Sequence, residues 1–283
     1  MSVRNMISRW FRWLLHFRWL VTFRLIAAQQ EARKRLLSEP RYQNPKRLNR
    51  HEFQVYSQNG EDGILAEIFR RVGIVHHTFL EIGVGDGLET NTTYLLLQGW
   101  KGYWVEANRR HVTFIRRHFS SVIETGVLMV KQAFVTAENV ADVIASLGVP
   151  VEIDLLSLDV DRNTWYVLRA LLHVYQPRVL VVEYNSLFPP PVNWKVEYAP
   201  EKVWGRSSYF GASLKAYEIL CGEFNYALVG CDLCGVNAFF VRSDLALPEK
   251  FLPPFTAENH YEPLRDYLMC RVGPPRQFTD LTD

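Results

Sequence analysis

Phe79-Leu80-Glu81-Ile82-Gly83-Val84-Gly85-Asp86-Gly87 is the stretch of sequence on which the fold prediction depends. It begins as a short apolar run that contains one glutamate, and it ends in three glycines at alternate positions. Glycine permits a tight turn and a close approach of the backbone to a ligand. A strand that ends in such a turn is typical of the first strand of an open parallel sheet.

Short apolar runs alternate with helical patterns along the rest of the chain. Strands are predicted over residues 77–82, 103–106, 127–130, 154–160 and 179–184, and helices over 61–72, 109–119, 137–147, 164–174 and 213–224. Residues 226–229 and 236–241 form a closing hairpin that would add an antiparallel strand to the sheet edge. This order predicts an α/β, Rossmann-like fold with a mostly parallel, seven-stranded sheet whose last strand is antiparallel.

Charge divides the chain into an arm and a body. Residues 1–50 carry 12 Lys/Arg and 2 Asp/Glu, which leaves 20 Lys/Arg and 28 Asp/Glu for residues 51–283. We predict a basic helical arm and linker over 1–50, a ligand-binding domain over 51–245 and a C-terminal extension over 246–283. The acidic body argues against nucleic acid as a partner, because phosphates require a basic face.

The arm alternates aromatic residues with arginines over residues 1–27. No apolar run there approaches the roughly 20 residues that span a bilayer, and no signal-peptide pattern is present. Three interpretations remain: packing on the arm's own domain, contact with a second copy in a homo-oligomer, or contact with an anionic membrane surface. The low cysteine count fits a reducing cytosol, so we predict a cytoplasmic protein, and the third interpretation would make it peripheral at the inner face of the membrane.

A carboxylate about 20 residues after the glycine turn strengthens the prediction that the turn binds a ligand. Glu106 ends the second predicted strand, where it can accept the ribose hydroxyls of an adenosine cofactor. Acidic residues also crowd the turn, namely Glu81, Asp86 and Glu89. They would repel a pyrophosphate and attract an ammonium group. The pattern therefore favours S-adenosylmethionine over NAD.

Polar residues follow the fourth and fifth strands, at the same edge of the predicted sheet. They are Asp159, Asp161, Glu183 and Asn185. Oxygen ligands of this kind suit Mg²⁺ or another divalent cation, with Asp161, Glu183 and Asn185 as the candidate metal set. Alternatively, the acids bind the cofactor amino group, for which Asp159 is the candidate, or cap the following helices. Asp159 or Asp161 could also act as a catalytic base.

A long aromatic and proline-rich stretch occupies residues 184–212. Loops of this length are usually functional or disordered, and the aromatic content argues against disorder. We predict either a lid over the acceptor substrate or a strap packed across the sheet edge.

Three segments resemble FkbM-type methyltransferases: Tyr56-Ser57-Gln58-Asn59-Gly60-Glu61-Asp62, Phe79 to Gly83, and Leu156-Ser157-Leu158-Asp159-Val160-Asp161. The resemblance covers about residues 53–243 and implies a class I methyltransferase fold. It also implies that Glu81, Gly83 and Gly85 lie along S-adenosylmethionine, with Glu106 on the ribose, Gln132 near the adenine, and Ser57 and Gln58 near the methionine end. Family members often end the fourth strand in Asp-x-Glu-Gly, whereas this chain has Asp159-Val160-Asp161-Arg162.

The resemblance also implies O-methylation, so we predict an enzyme that methylates a hydroxyl of a glycan, a lipid-linked sugar or a small metabolite. Two alternatives belong to other classes. One is a non-catalytic Rossmann-like module that acts as a scaffold or a membrane-associated partner. The other is an NAD-type oxidoreductase, which the acidic glycine turn disfavours.

Overall fold

A computed structural model of the chain describes residues 21–269 and 277–278. Its centre is a seven-stranded sheet of order β3-β2-β1-β4-β5-β7-β6. β7 runs antiparallel to both of its neighbours, and the other six strands share one direction. The strands are β1 (Thr78–Ile82), β2 (Lys101–Glu106), β3 (Leu128–Gln132), β4 (Leu155–Leu158), β5 (Val179–Glu183), β6 (Tyr226–Cys231) and β7 (Asn237–Arg242).

Helices cover both faces of the sheet. In the described part of the chain they are α1 (21–37), α2 (Glu61–Val72), α3 (Thr93–Leu97), α4 (Arg109–His118), α5 (Ser120–Glu124), α6 (Val140–Ala145), α7 (Thr164–Leu172), α8 (Leu214–Glu223) and α9 (Ala257–His260). Helices α6, α7 and α8 bury one face of the sheet, and α2 to α5 bury the other. Phe79 and Leu80 of β1 point into these two separate cores, as strand alternation requires.

The observed sheet confirms the predicted Rossmann-like α/β class. The strand boundaries differ from the prediction by at most two residues, and α2 begins and ends where its apolar pattern does. The closing hairpin is different, because β7 lies inside the sheet between β5 and β6, and β6 forms the edge. The buried strand β7 carries a continuous apolar run, Ala238-Phe239-Phe240-Val241, as expected for a strand covered on both faces.

The segment 38–50, predicted to be a linker, is folded against β6. Tyr42 and Leu48 are each 1% exposed. The Leu48 side chain packs on Gly230, where a β-carbon would lie 3.0 Å from it, and the Asn49 amide donates to the Cys231 carbonyl over 2.9 Å. The polar composition of this segment led to the linker prediction, although Tyr42, Leu48 and Asn49 anchor the segment to the rest of the protein.

The described part of the arm, α1, packs on its own domain through Ala32, Leu36 and Leu37. Arg33 on the same helix forms an ion pair with the buried Glu52. Residues 1–20, which carry most of the predicted arm, lie outside the described residues. No helix within the described residues is both long enough and apolar enough to cross a membrane.

The C-terminal extension is tied to the N-terminal segment by a buried carboxylate. Glu262 accepts hydrogen bonds from the Tyr42 hydroxyl over 2.6 Å and from Arg265 over 2.8 Å. Its backbone carbonyl accepts from the Tyr184 hydroxyl, also over 2.6 Å. Residues from both ends of the described chain therefore close around the β5 side of the sheet.

A buried ion pair joins α2 to the middle of the sheet. The Arg178 guanidinium donates to Asp154 over 2.8 Å and to the carbonyls of Val72 and Gly73, which end α2. Both side chains are buried; burial acts to raise the pKa of Asp154, but the hydrogen bond from Arg178 and those from two backbone N–H groups lower it below its ordinary value. Removing one partner would leave the other charge buried without compensation.

We expect Arg178→Met to destabilise the protein by about 3 kcal/mol, because Asp154 would lose its charged partner and the carbonyls at the end of α2 would lose their donor. Urea unfolding followed by circular dichroism measures this change. Arg35→Met, which alters an exposed arginine, provides the control and should cost less than about 0.5 kcal/mol. Equal stability of the two variants would contradict the role given to the pair.

Candidate functional site

The candidate site lies where the strand order reverses. The chain leaves β1 on one side towards β2 and β3, and on the other side it reaches β4 and β5. Ligands bind at such a switch point, beyond the carboxyl ends of the strands. A cavity of about 290 Å³ opens there. It is lined by the ends of β1, β2, β3 and β4 and by two residues of the 184–212 segment.

Two glycines shape the floor of this cavity. Gly83 has φ +88°, and a β-carbon on it would lie 1.6 Å from the Asp159 carbonyl oxygen. Gly85 has φ +58°, with open space where its β-carbon would be. The first glycine therefore lets β1 and β4 end side by side, and the second leaves room for a ligand.

Glu106 lies across the cavity from β4, at the end of β2, and holds the glycine turn. Its carboxylate accepts from the Gly85 backbone N–H over 2.9 Å and from the Asn108 N–H over 2.7 Å, and His111 Nδ1 lies 3.5 Å away. A carboxylate offers about four acceptor positions, so capacity remains for two ribose hydroxyls. The predicted partnership between the glycine turn and Glu106 is thus present in the structure.

Glu81 points away from the cavity into a buried polar network. Its carboxylate accepts from the Thr92 hydroxyl, from the Asn91 N–H over 3.1 Å and from the Ser157 hydroxyl over 3.0 Å. Burial raises the pKa of Glu81 to about 7, against the opposing effect of these donors. In this arrangement Glu81 fixes β1 to the start of α3 and to β4, and its carboxylate does not line the cavity.

Asp159 and Asp161 both line the cavity at the end of β4. The Asp159 side chain is exposed to water at the cavity, although many protein atoms lie close to its carboxyl group. Burial, followed by the charge of Asp161, raises the pKa of Asp159 to about 6. The pKa of Asp161 is also raised, by burial and then by the charge of Glu106. Three carboxylates therefore act on one another across a single cavity.

Glu183 lies behind Asp159, at the end of the neighbouring strand β5. The two carboxyl groups are within hydrogen-bond distance, so the pair must hold a proton to be stable. Burial and the charges of Asp159 and Asp161 raise the pKa of Glu183 well above its ordinary range. Among the described residues, neither acid forms an ion pair with a basic side chain.

Asn185, the third member of the predicted metal set, does not join these acids. Its side-chain amide donates to the carbonyls of Ser208 and Phe210 over 2.9 and 3.0 Å, and its oxygen accepts from the Leu187 N–H. Within the described residues, no group of three or more His, Cys, Asp or Glu side chains is arranged to hold a metal ion. The amide instead shapes the aromatic segment, and the predicted set with Asp161 and Glu183 does not form.

The remaining predicted cofactor residues lie outside the cavity lining. The Ser57 hydroxyl hydrogen-bonds to Asp62 in the first turn of α2, and the Asp86 carboxylate accepts from the Leu88 N–H. Gln58 and Gln132 are exposed on the surface. Their cofactor roles stay predictions.

Part of the 184–212 segment covers the cavity, and the middle of the segment is hydrogen-bonded to residues at the start of α7. Lys202 and Val203 line the cavity. Asn163, which precedes α7, donates to the Ala199 carbonyl over 2.9 Å, and Tyr166 donates to the Val196 carbonyl over 3.0 Å. The segment thus combines features of both predictions, since it is packed like a strap and also covers the ligand space.

Sequence reasoning missed most of the apolar wall of the cavity. That wall consists of Ala107, Ala133, Phe134, Val135 and Val160. Each of these residues follows the end of β2, β3 or β4 within a few positions. Their location just beyond the strand ends was the available signal, and their ordinary residue types gave none.

We expect Gly83→Ala to destabilise the protein by about 3 kcal/mol or more, because the new methyl group would overlap the Asp159 carbonyl oxygen. Gly126→Ala is the matched control, since Gly126 also has positive φ, at +73°, but has open space around it. That variant should cost only about 1 kcal/mol. Urea unfolding of both proteins measures the difference, and similar costs would show that the contact with β4 is unimportant.

We expect Asp159→Asn to change how stability depends on pH. A pKa raised to about 6 means that the folded protein keeps a proton that the unfolded chain has lost, so the wild type loses stability as pH rises from about 4 to about 6. Because water reaches Asp159, the variant should gain only about 1 kcal/mol on the wild type between pH 4 and pH 8. Unfolding in urea at both pH values tests this, with the exposed Asp142→Asn as control. A gain of equal size in both variants would refute the expectation.

The comparisons with known proteins give low similarity throughout. No protein-family model and no curated protein matches the chain. The O-methyltransferase from Bacillus cereus in complex with SAH is 13% identical, at 76% coverage of this chain and 88% of that chain, with a TM-score of 0.42. A SAM-dependent methyltransferase from Geobacter sulfurreducens in complex with S-adenosyl-L-homocysteine is 9% identical, at 62% and 68% coverage, with a TM-score of 0.39. Structural similarity this low does not support a conclusion about function. The fold assignment follows from the observed strand order.

Proposed function

We propose that this protein is an S-adenosylmethionine-dependent O-methyltransferase. The observation that carries the proposal is the charge of the cavity: three carboxylates, Glu106, Asp159 and Asp161, line it at the strand-order reversal and outnumber the one lysine in the lining, Lys202. A cluster of carboxylates favours a ligand with positive charge and repels a pyrophosphate. S-adenosylmethionine has a sulfonium, an ammonium group and no phosphate, whereas NAD has two phosphates.

The rest of the cavity fits the remaining parts of this cofactor. Glu106 has acceptor capacity for the two ribose hydroxyls and is already held in place by the glycine turn. The apolar wall, which includes Phe134 and Val135, suits the adenine ring. Open space at Gly85 allows the backbone to come close to the ligand. When bound, the cofactor supplies a methyl group that is already activated by the sulfonium.

Asp159 is our candidate for the catalytic base. Its carboxyl group faces the cavity, and its raised pKa of about 6 leaves it ionised at neutral pH while making it a stronger proton acceptor than an ordinary aspartate. In the proposed reaction Asp159 takes the proton from the acceptor hydroxyl. Asp161 stands beside it and keeps the local charge negative. Exclusion of water by the 184–212 segment would favour this proton transfer.

The acceptor is proposed to be a hydroxylated small molecule or glycan. The 184–212 segment offers aromatic rings close to the cavity, among them the exposed Trp204 and Tyr209. Flat aromatic faces pack well against sugar rings. This surface, together with a base at Asp159, supports a hydroxyl-bearing acceptor.

We expect Glu106→Ala to weaken the binding of S-adenosylmethionine by about 10- to 100-fold, because each lost hydrogen bond to a charged acceptor is worth about 1.5 kcal/mol. Isothermal titration calorimetry measures this change, and NAD should show no binding to the wild type. Glu124→Ala, at an exposed position on α5, should bind like the wild type.

Glu106→Gln tests whether misfolding causes the weaker binding, because it keeps the size of the side chain and one acceptor oxygen. It should show an intermediate affinity. Failure of the wild type to bind S-adenosylmethionine would overturn the proposed function. Binding that is unchanged in Glu106→Ala would overturn only the ribose role.

A further inference from the structure

Helix α4 presents a strongly basic outer face. Its inner side buries Val112 and Ile115 against the sheet. Four arginines are exposed on its outer side: Arg109, Arg110, Arg116 and Arg117. Neither the proposed reaction nor the packing of the fold uses these side chains.

The four arginines form a compact patch, which we call the α4 basic face. Arg116 follows Arg109 by seven residues, and Arg117 follows Arg110 by seven. Seven residues are close to two full turns, so each pair lies on one line along the helix, about 10 Å apart. The two lines are about 100° apart around the helix axis. The result is a four-cornered array of guanidinium groups that faces one direction.

Nothing in the described part of the chain neutralises this array. None of its four arginines forms an ion pair there, and α4 contains no acidic residue. Other exposed arginines are paired, since Arg70 contacts Glu67 and Arg242 contacts Asp244. Like charges seven residues apart on one helix face repel one another and add no stability to the fold.

The surroundings of the α4 basic face include an aromatic ring and the cavity. Phe114 is partly exposed on the same helix and stacks on His118, with ring centroids 3.7 Å apart. His111, in the first turn of α4, lines the cavity beside Glu106. The basic face therefore occupies the outer surface next to the cofactor end of the cavity.

We propose that the α4 basic face is a contact site for an anionic lipid bilayer. Charge complementarity is the main argument, because clustered Lys and Arg side chains attract anionic headgroups. The arm gives a second one: residues 1–27 alternate arginine with tryptophan and phenylalanine, a composition suited to the same interface. The net acidic charge of residues 51–283 disfavours nucleic acid as the partner.

The proposal is independent of the proposed methyltransferase activity, since it requires neither cofactor nor acceptor. The full-length chain is co-sedimented with vesicles of phosphatidylcholine alone and with vesicles in which about a quarter of the lipid is phosphatidylglycerol. We expect binding to the anionic vesicles only, and a loss of that binding as salt rises. Arg116→Gln combined with Arg117→Gln should weaken it by about 10-fold or more, because each arginine near the surface contributes roughly a fivefold effect.

Two matched variants make the result specific. Arg169→Gln combined with Arg206→Gln removes the same charge from exposed positions elsewhere and should leave vesicle binding within about twofold of the wild type. Arg116→Lys combined with Arg117→Lys keeps the charge and should retain binding. Thermal unfolding of all variants checks that the fold is intact, and glutamine is as good a helix former as arginine.

Three outcomes would overturn the proposal. The first is wild-type vesicle binding by the Arg116/Arg117 glutamine variant, which would assign the membrane contact to the arm alone. The second is an equal loss in the Arg169/Arg206 variant, which would indicate a general effect of net charge. The third is binding of the wild type to duplex DNA but not to anionic vesicles, which would make nucleic acid the partner.

Discussion

The close approach of Gly83 to the Asp159 carbonyl oxygen is the constraint on which the site depends. β1 and β4 are neighbours in the sheet, and the chain diverges from them in opposite directions. Any side chain at position 83 would force their ends apart, because a β-carbon would lie 1.6 Å from the β4 backbone. With glycine there, the two strand ends stay together and the cavity opens directly above them.

This constraint also brings acidic groups together. Glu106 is drawn in from β2 by its hydrogen bond to the glycine turn, while Asp159 and Asp161 project from β4. Crowding in this space raises the pKa values of Asp159 and Asp161, and such crowding costs stability. Structures tend to keep such groups where a ligand or a reaction needs them. A ligand with positive charge would relieve the repulsion on binding, which links the cost in the fold to the proposed cofactor.

The elements outside the sheet have different roles: some anchor the ends of the described chain, and others cover or line the cavity. Helix α1 and the segment that follows it are bound to the domain by Arg33, Tyr42 and Leu48, and the C-terminal extension meets them through Glu262. The 184–212 segment is shaped by Asn185 and covers the cavity with Lys202 and Val203. In contrast, α4 lines the cavity at one end through His111. Within the described residues, the four arginines on its outer side form no ion pair.

The sequence by itself determined the strands and helices that are encoded by patterns of neighbouring residues. Alternating apolar patterns placed β1 to β7 and α2, and the glycine turn with Glu106 pointed to the sheet edge at which the cavity lies. These features are encoded in side-chain periodicity and backbone freedom, which act over a few residues. Short helices such as α3 and α5 were missed, because five residues are too few for a periodic pattern to show.

Only the tertiary structure decided which side chains at the sheet edge share a space. Glu81 and Glu106 each end or flank a strand in the sequence, yet Glu81 is enclosed by Thr92 and Ser157 while Glu106 faces the cavity. Asn185 follows β5 as Asp159 follows β4, but its amide donates to the Ser208 and Phe210 carbonyls near the other end of the 184–212 segment. The register of neighbouring strands and the packing of loops fix these directions, and both arise from contacts between residues far apart in the chain.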